Sequence, residues 1–152
     1  MEIVLKCSAF KHDETIPIQF TCQGDNISPP FEWSIPPENT KSMIIIAEDP
    51  DAPHGWIHWV LFNIPPHTRE IPENCPRTYE LKDGSYQGMN DFREIGYGGP
   101  CPPSGIHRYY FRIYAVDIIL HAHLNMTKED LMSQIRGHVL ATGEYMGRYG
   151  KI

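Results

Sequence analysis

The sequence predicts a mainly β domain with a single helix near the C-terminus. Three observations carry that reading. Apolar residues gather in short β-branched and aromatic runs bounded by turn formers, Met43-Ile-Ile-Ile-Ala47 above all. Fourteen prolines and twelve glycines punctuate 152 residues, which suits shaped loops between strands better than a bundle of helices. Only the segment beginning at Thr127 carries the signals of a helix start.

Taken in order, Met1 to Cys7 alternates weakly and reads as a first strand. Phe31 to Ile35, bracketed by Pro29-Pro30 and Pro36-Pro37, reads as extended. Met43 to Ala47 is a buried strand, and Trp56 to Asn63 a second. The latter is apolar on both parities: Trp56, His58, Val60 and Phe62 would share one face, Ile57, Trp59 and Leu61 the other, as in a strand covered on both sides. Thr78 to Leu81 reads as a short strand. Asp83 to Pro103 is a long irregular segment, and such a length marks either function or an unrecognised element. Tyr109 to Val116 is a third clear strand, with Phe111, Ile113 and Ala115 on one face and Tyr110, Arg112, Tyr114 and Val116 on the other. Thr127-Lys-Glu-Asp130 offers an N-cap and an acidic first turn, followed by an apolar stripe of Leu131, Ile135 and Val139. Ala141 to Tyr149 reads equally as a last strand or as continued helix. The total is about seven short strands and one helix.

Residues 1–152 suit one domain with one core. A net charge of −6 argues against a general nucleic-acid binder, which needs a basic face to replace phosphate counterions. No apolar run is long enough for a membrane helix, and the first ten residues lack the charged-then-apolar pattern of an export signal, so a cytoplasmic protein is expected. Cys7, Cys22, Cys75 and Cys101 show no Cys-x-x-Cys spacing, which argues against a zinc site or a thioredoxin-like pair. Three full pairings are open, and in a cytosol four free thiols are expected, structural or incidental in role. Cys101 is the one expected nearest the site.

Of the eight histidines, His58 and His107 stand apart. His58 lies inside a strand, where an imidazole must find partners; the plain alternative is a core histidine bonded to a backbone carbonyl. His107 precedes the Tyr109 strand and shares the parity of Tyr109. Asp49 ends the Met43 strand and opens Asp49-Pro-Asp-Ala-Pro53, a turn stiffened by two prolines. Either Asp49 or Asp51 is expected to serve only the turn. If the three strand ends meet, a carboxylate fixes the tautomer of an imidazole, and imidazoles and phenol face an anion. The Gly96-Tyr-Gly-Gly-Pro100 loop can add backbone N–H donors, although it is not a P-loop. Arg108, by alternation, points to the opposite face.

Asp49-Pro-Asp-Ala-Pro53, His58-Trp-Val-Leu-Phe-Asn63 and Gly99-Pro-Cys-Pro-Pro-Ser-Gly-Ile-His-Arg-Tyr109 resemble, in order, the signature blocks of the phosphatidylethanolamine-binding proteins, also called Raf kinase inhibitor-like proteins. The likeness runs over nearly the whole chain and is greatest to the bacterial and archaeal branch. It implies a β-sandwich on a large central antiparallel sheet with a C-terminal helix. It also implies a pocket for phosphate or phosphorylethanolamine-like groups, lined at positions matching Asp49, Asp51, His58, Gly99, Pro100, His107 and Tyr109. Family members often carry a cis peptide beside the pocket, and the proline-rich loop offers places for one. The chain ends at Ile152, short of the C-terminal segment of eukaryotic members, so a more open pocket is expected. Kinase inhibition, known for some eukaryotic members, is not carried over.

Two classes of function follow. The first is a non-catalytic binding protein for a small anionic ligand, with no cofactor and with room for a protein partner or a second copy of the chain. The second is a metal-dependent hydrolase in which His58, His107 and Asp49 ligate one ion. For the binding protein, positive charge must come from an imidazole, so affinity should be greatest at about pH 5–7 and fall as pH rises.

Overall fold

The computed structural model describes residues 2–151; Met1 and Ile152, at the ends of the expected first strand and of the chain, lie outside them. Two antiparallel sheets form the molecule. The larger runs in the order β6 (Tyr86–Gln87), β4 (Trp56–Ile64), β3 (Ser42–Asp49), β7 (Ile106–Val116) and β8 (Val139–Gly150). The smaller is β1 (Leu5–Lys6), β2 (Phe31–Trp33) and β5 (Glu70–Ile71). The expected mainly β sandwich on a large central antiparallel sheet is therefore what forms.

Alternation on β3 and β7 divides the apolar residues between two layers. Met43, Ile45 and Ala47 join Phe111, Ile113 and Ala115 in the layer between the sheets, closed by Leu5, Phe31, Trp33 and Ile71 of the small sheet. Ile44, Ile46, Val60 and Phe62 face the other way and are covered by α1 (Lys128–Ile135) through Leu131 and Ile135. The central strands are thus apolar on both parities because both faces are covered. The smaller sheet lies over the first layer, and loops from β7 to α1 complete the second through Leu120 and Met126. No helix among the described residues is long and apolar enough to cross a membrane.

The helix starts as its sequence requires. The Thr127 hydroxyl accepts the Asp130 N–H, and the Asp130 carboxylate accepts the Thr127 N–H, a reciprocal cap. It ends earlier than the stripe predicts. Gly137 takes a positive φ of 80° and turns the chain, so Val139 opens β8 instead of extending the helix. Ala141 to Tyr149 is strand, because β8 pairs with β7 from Ile106 opposite Gly150 to Val116 opposite Val139. The outer edge of β8 is in turn blunted by the N-terminal segments: Ile3 N–H donates to the Thr142 carbonyl, Ile16 N–H to that of Arg148, and Arg148 N–H to that of Glu14.

Other expectations need correction. Thr78 to Leu81 is not a strand, contributing only a bridge between Glu80 and Tyr86. The irregular stretch after it contains β6, whose two residues are too few to give a periodic signal. Strand β7 begins at Ile106, which makes His107 a strand residue. All peptide bonds among the described residues are trans, so the cis bond that the resemblance suggested is absent there.

The correction that matters most lies on β4. Ala47 stands opposite Trp59, but Glu48 stands opposite Ile57, so His58 is an extra residue with no partner on β3. This is a β-bulge. It reverses the parity of the strand: Ile57 packs with Val60 and Phe62 towards the helix, while Trp59 and Leu61 face the small sheet. His58 leaves the face of Val60 and Phe62, where simple alternation put it, and is re-aimed to the side of Asp49 and Tyr109.

Candidate ligand-binding site

At one end of the layer between the sheets, the end of β3, the start of β4 and the start of β7 surround a cavity of about 340 Å³. Asp49, His58, His107 and Tyr109 all line it, so the strand ends do converge. Its walls are apolar, formed by Trp56, Phe92 and the prolines of the two adjoining loops.

Asp49 organises the polar floor. It is only 3% exposed. One carboxylate oxygen accepts the backbone N–H groups of Asp51 (2.8 Å) and Ala52 (3.2 Å), the fold-back that the stiff turn permits. The other accepts the Nδ1–H of His107 at 2.5 Å. With Nδ1 committed as a donor, the Nε2 of His107 is the nitrogen left for the cavity.

His58 is held in a second way. Its Nδ1 lies 2.6 Å from the Gly98 carbonyl oxygen, which can only accept, so Nδ1 carries hydrogen here also. Burial pushes the imidazole below its ordinary value, and the Gly98 carbonyl and Asp49 offset this only in part. His58 is therefore neutral, and its remaining nitrogen is an acceptor. Tyr109 stands against both imidazoles, edge-on to His58 (centroids 5.2 Å, 79°) and near-parallel to His107 (6.5 Å, 23°). Burial, then the Asp49 carboxylate, push its phenol well above the ordinary range, which keeps it an O–H donor. The floor thus presents a donor phenol, an acceptor imidazole and a second imidazole tied to a carboxylate. No lysine or arginine lines the cavity.

Three other expected site residues have different tasks. Asp51 does not line the cavity. Its carboxylate receives Arg108 through Nη2 (2.7 Å), Nε (3.0 Å) and the backbone N–H (2.8 Å). Arg108 does lie on the far face, as alternation requires, and its fork joins the Asp49–Pro53 turn to the start of β7. The guanidinium pulls the Asp51 carboxyl down to about 2. A lowered folded-state value means stabilisation that is present above the unfolded value near 3.9 and lost as pH falls towards 2. Asp51→Asn should therefore lose less stability than the parent chain in an unfolding series from about pH 5 to 2, while leaving phosphoethanolamine affinity within about fivefold.

Gly99 and Pro100 also stay out of the lining. Two of the loop N–H groups expected as anion donors are spent inside the protein: Gly98 N–H on the His58 carbonyl (2.9 Å) and Gly99 N–H on Asn26 Oδ1 (2.8 Å). The Pro100 carbonyl accepts the Cys22 N–H (3.1 Å). Beside it, Cys22 and Cys101 form a disulfide, which corrects the expectation of four free thiols. Cys7 and Cys75 are free, and burial pushes the Cys75 thiol up to about 11. Cys101, expected nearest the site, does line the cavity.

The metal-ion alternative does not fit this arrangement. Both Asp49 oxygens are engaged by donors, one of them the His107 nitrogen facing it. Among the described residues no group of three His, Cys, Asp or Glu side chains is placed to hold an ion. Sequence reasoning missed Trp56 and Phe92 as wall residues. Their rings meet at 5.4 Å, and Phe92 also stands 5.4 Å from His58. Phe92 lies in the irregular segment, where no parity tells which way a side chain points.

Comparisons with known proteins agree with the fold. A family model described as phosphatidylethanolamine-binding protein matches residues 6–150. A UPF0098 protein of Methanothermobacter thermautotrophicus is 49% identical over 146 residues, 95% of this chain and 97% of its own. A UPF0098 protein of Chlamydia trachomatis is 40% identical over 153 residues, 97% of this chain and 98% of its own. Among solved structures, the homologue CT736 of Chlamydia trachomatis superposes with a TM-score of 0.91 at 39% identity over 99% of both chains. YbcL of E. coli, described as a member of the mammalian family, superposes with a TM-score of 0.92 at 32% identity over the full length of both.

Proposed function

The chain belongs to the phosphatidylethanolamine-binding protein family, and from that premise we propose that its cavity binds a small phosphate-bearing group, of the phosphorylethanolamine type, without transforming it. The observation that carries this reading is the Asp49–His107 pair on the cavity floor. Asp49 holds Nδ1, so a second proton on His107 sits on Nε2 and gives a charge-assisted donor to an anion. The Tyr109 hydroxyl adds a neutral donor. His58, neutral and accepting, suits a ligand that carries a proton of its own, such as the P–OH of a phosphomonoester monoanion. Charge favours the same species. With Asp49 negative, His107 positive and no other cation in the lining, a monoanion is tolerated better than a dianion. The Trp56 and Phe92 walls would take the organic part of the ligand, with an ammonium over an aromatic face.

Binding is favoured over catalysis because the floor lacks an activated nucleophile. Ser104 does not line the cavity, and the sulfur of Cys101 is bound to Cys22. Calorimetric titration with phosphoethanolamine and with inorganic phosphate tests the reading. Affinity should fall by about tenfold or more between pH 6 and 9, as the monoanion gives way to a dianion that the Asp49 carboxylate repels. Affinity that is flat or rising over that range would rule out this reading.

A further inference from the structure

The disulfide sits where two properties meet. Cys22 is exposed to solvent, whereas Cys101 is half-buried and forms part of the cavity wall with Pro102 and Pro103. Upstream, the segment is anchored without it, through Gly98, Gly99 and Pro100 as described above and through the Tyr97 hydroxyl on the Phe20 carbonyl (2.6 Å). Downstream the case differs. Among the described residues, 101–105 make no backbone–backbone hydrogen bond before β7 begins at Ile106, and Gly105 takes a positive φ of 70°. The Cys101 sulfur is the covalent tether of that stretch of wall.

We propose that the Cys22–Cys101 disulfide is a modification site for low-molecular-mass thiols, and that its opening slackens the wall of the ligand cavity. The second half rests on the ligand-binding reading above. Cys22 is the exposed residue of the pair, so attack by an incoming thiolate is assigned to its sulfur. As the new S–S bond forms between that thiol and Cys22, the Cys22–Cys101 bond breaks. Its electron pair leaves on the Cys101 sulfur, which takes a proton from water. A second thiol can then release Cys22 as a thiol and depart as a symmetrical disulfide. Cys7 is buried and the Cys75 thiol is raised, so neither competes as acceptor or resolving group.

The test uses the intact oxidised chain with reduced glutathione as the thiol. Peptide mass spectrometry should place the glutathione adduct on Cys22 and leave Cys101 as a free thiol. Hydrogen exchange at the Cys22 amide, which the Pro100 carbonyl accepts, should become about tenfold faster or more, with β3 and β4 unchanged. Phosphoethanolamine affinity should fall by about fivefold or more. Cys22→Ser should show the faster exchange without added thiol, and the glutathione-treated parent chain decides the matter if that variant does not fold. An adduct on Cys101, opening only at the rate of global unfolding, or unchanged exchange at the amide of residue 22 would overturn the proposal. Failure of the oxidised chain to bind phosphoethanolamine would overturn the ligand reading instead, and the exchange data would still decide whether the disulfide tethers the loop.

Discussion

Asp49→Ala is expected to lower folding stability by about 3–5 kcal/mol and to abolish measurable phosphate binding. The residue is almost wholly buried and accepts three hydrogen bonds, two from backbone N–H groups and one from His107. Alanine leaves all three donors without their partner at a buried position. Urea unfolding measures the first effect and calorimetry the second. Asp49→Asn separates them. The amide oxygen must stay with the Asp51 and Ala52 N–H groups, which turns the NH₂ towards His107 Nδ1. Donor would then face donor, so the ring moves its hydrogen to Nε2 and accepts at Nδ1. The neutral imidazole now shows an N–H to the cavity, and the carboxylate that repels a dianion is gone. This variant should fold, bind phosphoethanolamine about tenfold or more weaker at pH 6, and lose most of the decline in affinity towards pH 9. A variant that keeps the parent pH profile would remove Asp49 from the binding mechanism.

Gly99→Ala is the second large effect expected, and it acts through packing alone. A Cβ at this position would lie 2.3 Å from the Phe20 carbonyl oxygen, 2.5 Å from Asn26 Oδ1 and 3.0 Å from the Thr21 Cα. Two of these are backbone atoms. They cannot easily retreat, because the Phe20 carbonyl accepts the Tyr97 hydroxyl and the neighbouring Cys22 is bonded to both Pro100 and Cys101. The loop must move away from the 20–26 segment, breaking the Gly99–Asn26 bond. We expect a loss of about 3 kcal/mol, seen as a lower urea midpoint at unchanged slope. Weaker phosphoethanolamine binding should follow, because the displaced loop also carries Cys101 and the proline wall. An alanine variant as stable as the parent would show that the close approach is not needed.

These expectations also mark where the sequence was legible and where it was not. Strand β7 could be read residue by residue, since unbroken alternation put His107 and Tyr109 on the inner face and Arg108 on the outer. The turn after β3 was legible because two prolines restrict it. Strand β4 was misread from His58 back to its start. A bulge has no periodic signature, and Ile57 and Trp59, both apolar, hide the slip at His58. The Gly-rich loop was recognised as close to the site, but its hydrogen-bond partners were not foreseeable. Asn26 and Cys22 lie more than seventy positions away in the chain, and only folding brings them to Gly99 and Cys101. The same long-range closure separates a disulfide from a set of free thiols. Asp51 illustrates a further limit: its place in a shared motif does not reveal that Arg108 takes up its carboxylate.

A crystal soaked with phosphoethanolamine would test the central claim most directly. A phosphate group is expected in the cavity, with oxygens within about 2.6–3.2 Å of His107 Nε2 and the Tyr109 hydroxyl, and the ethanolamine arm against Trp56 and Phe92. Phosphate bound elsewhere on the chain, or a cavity left empty at saturating ligand, would contradict it.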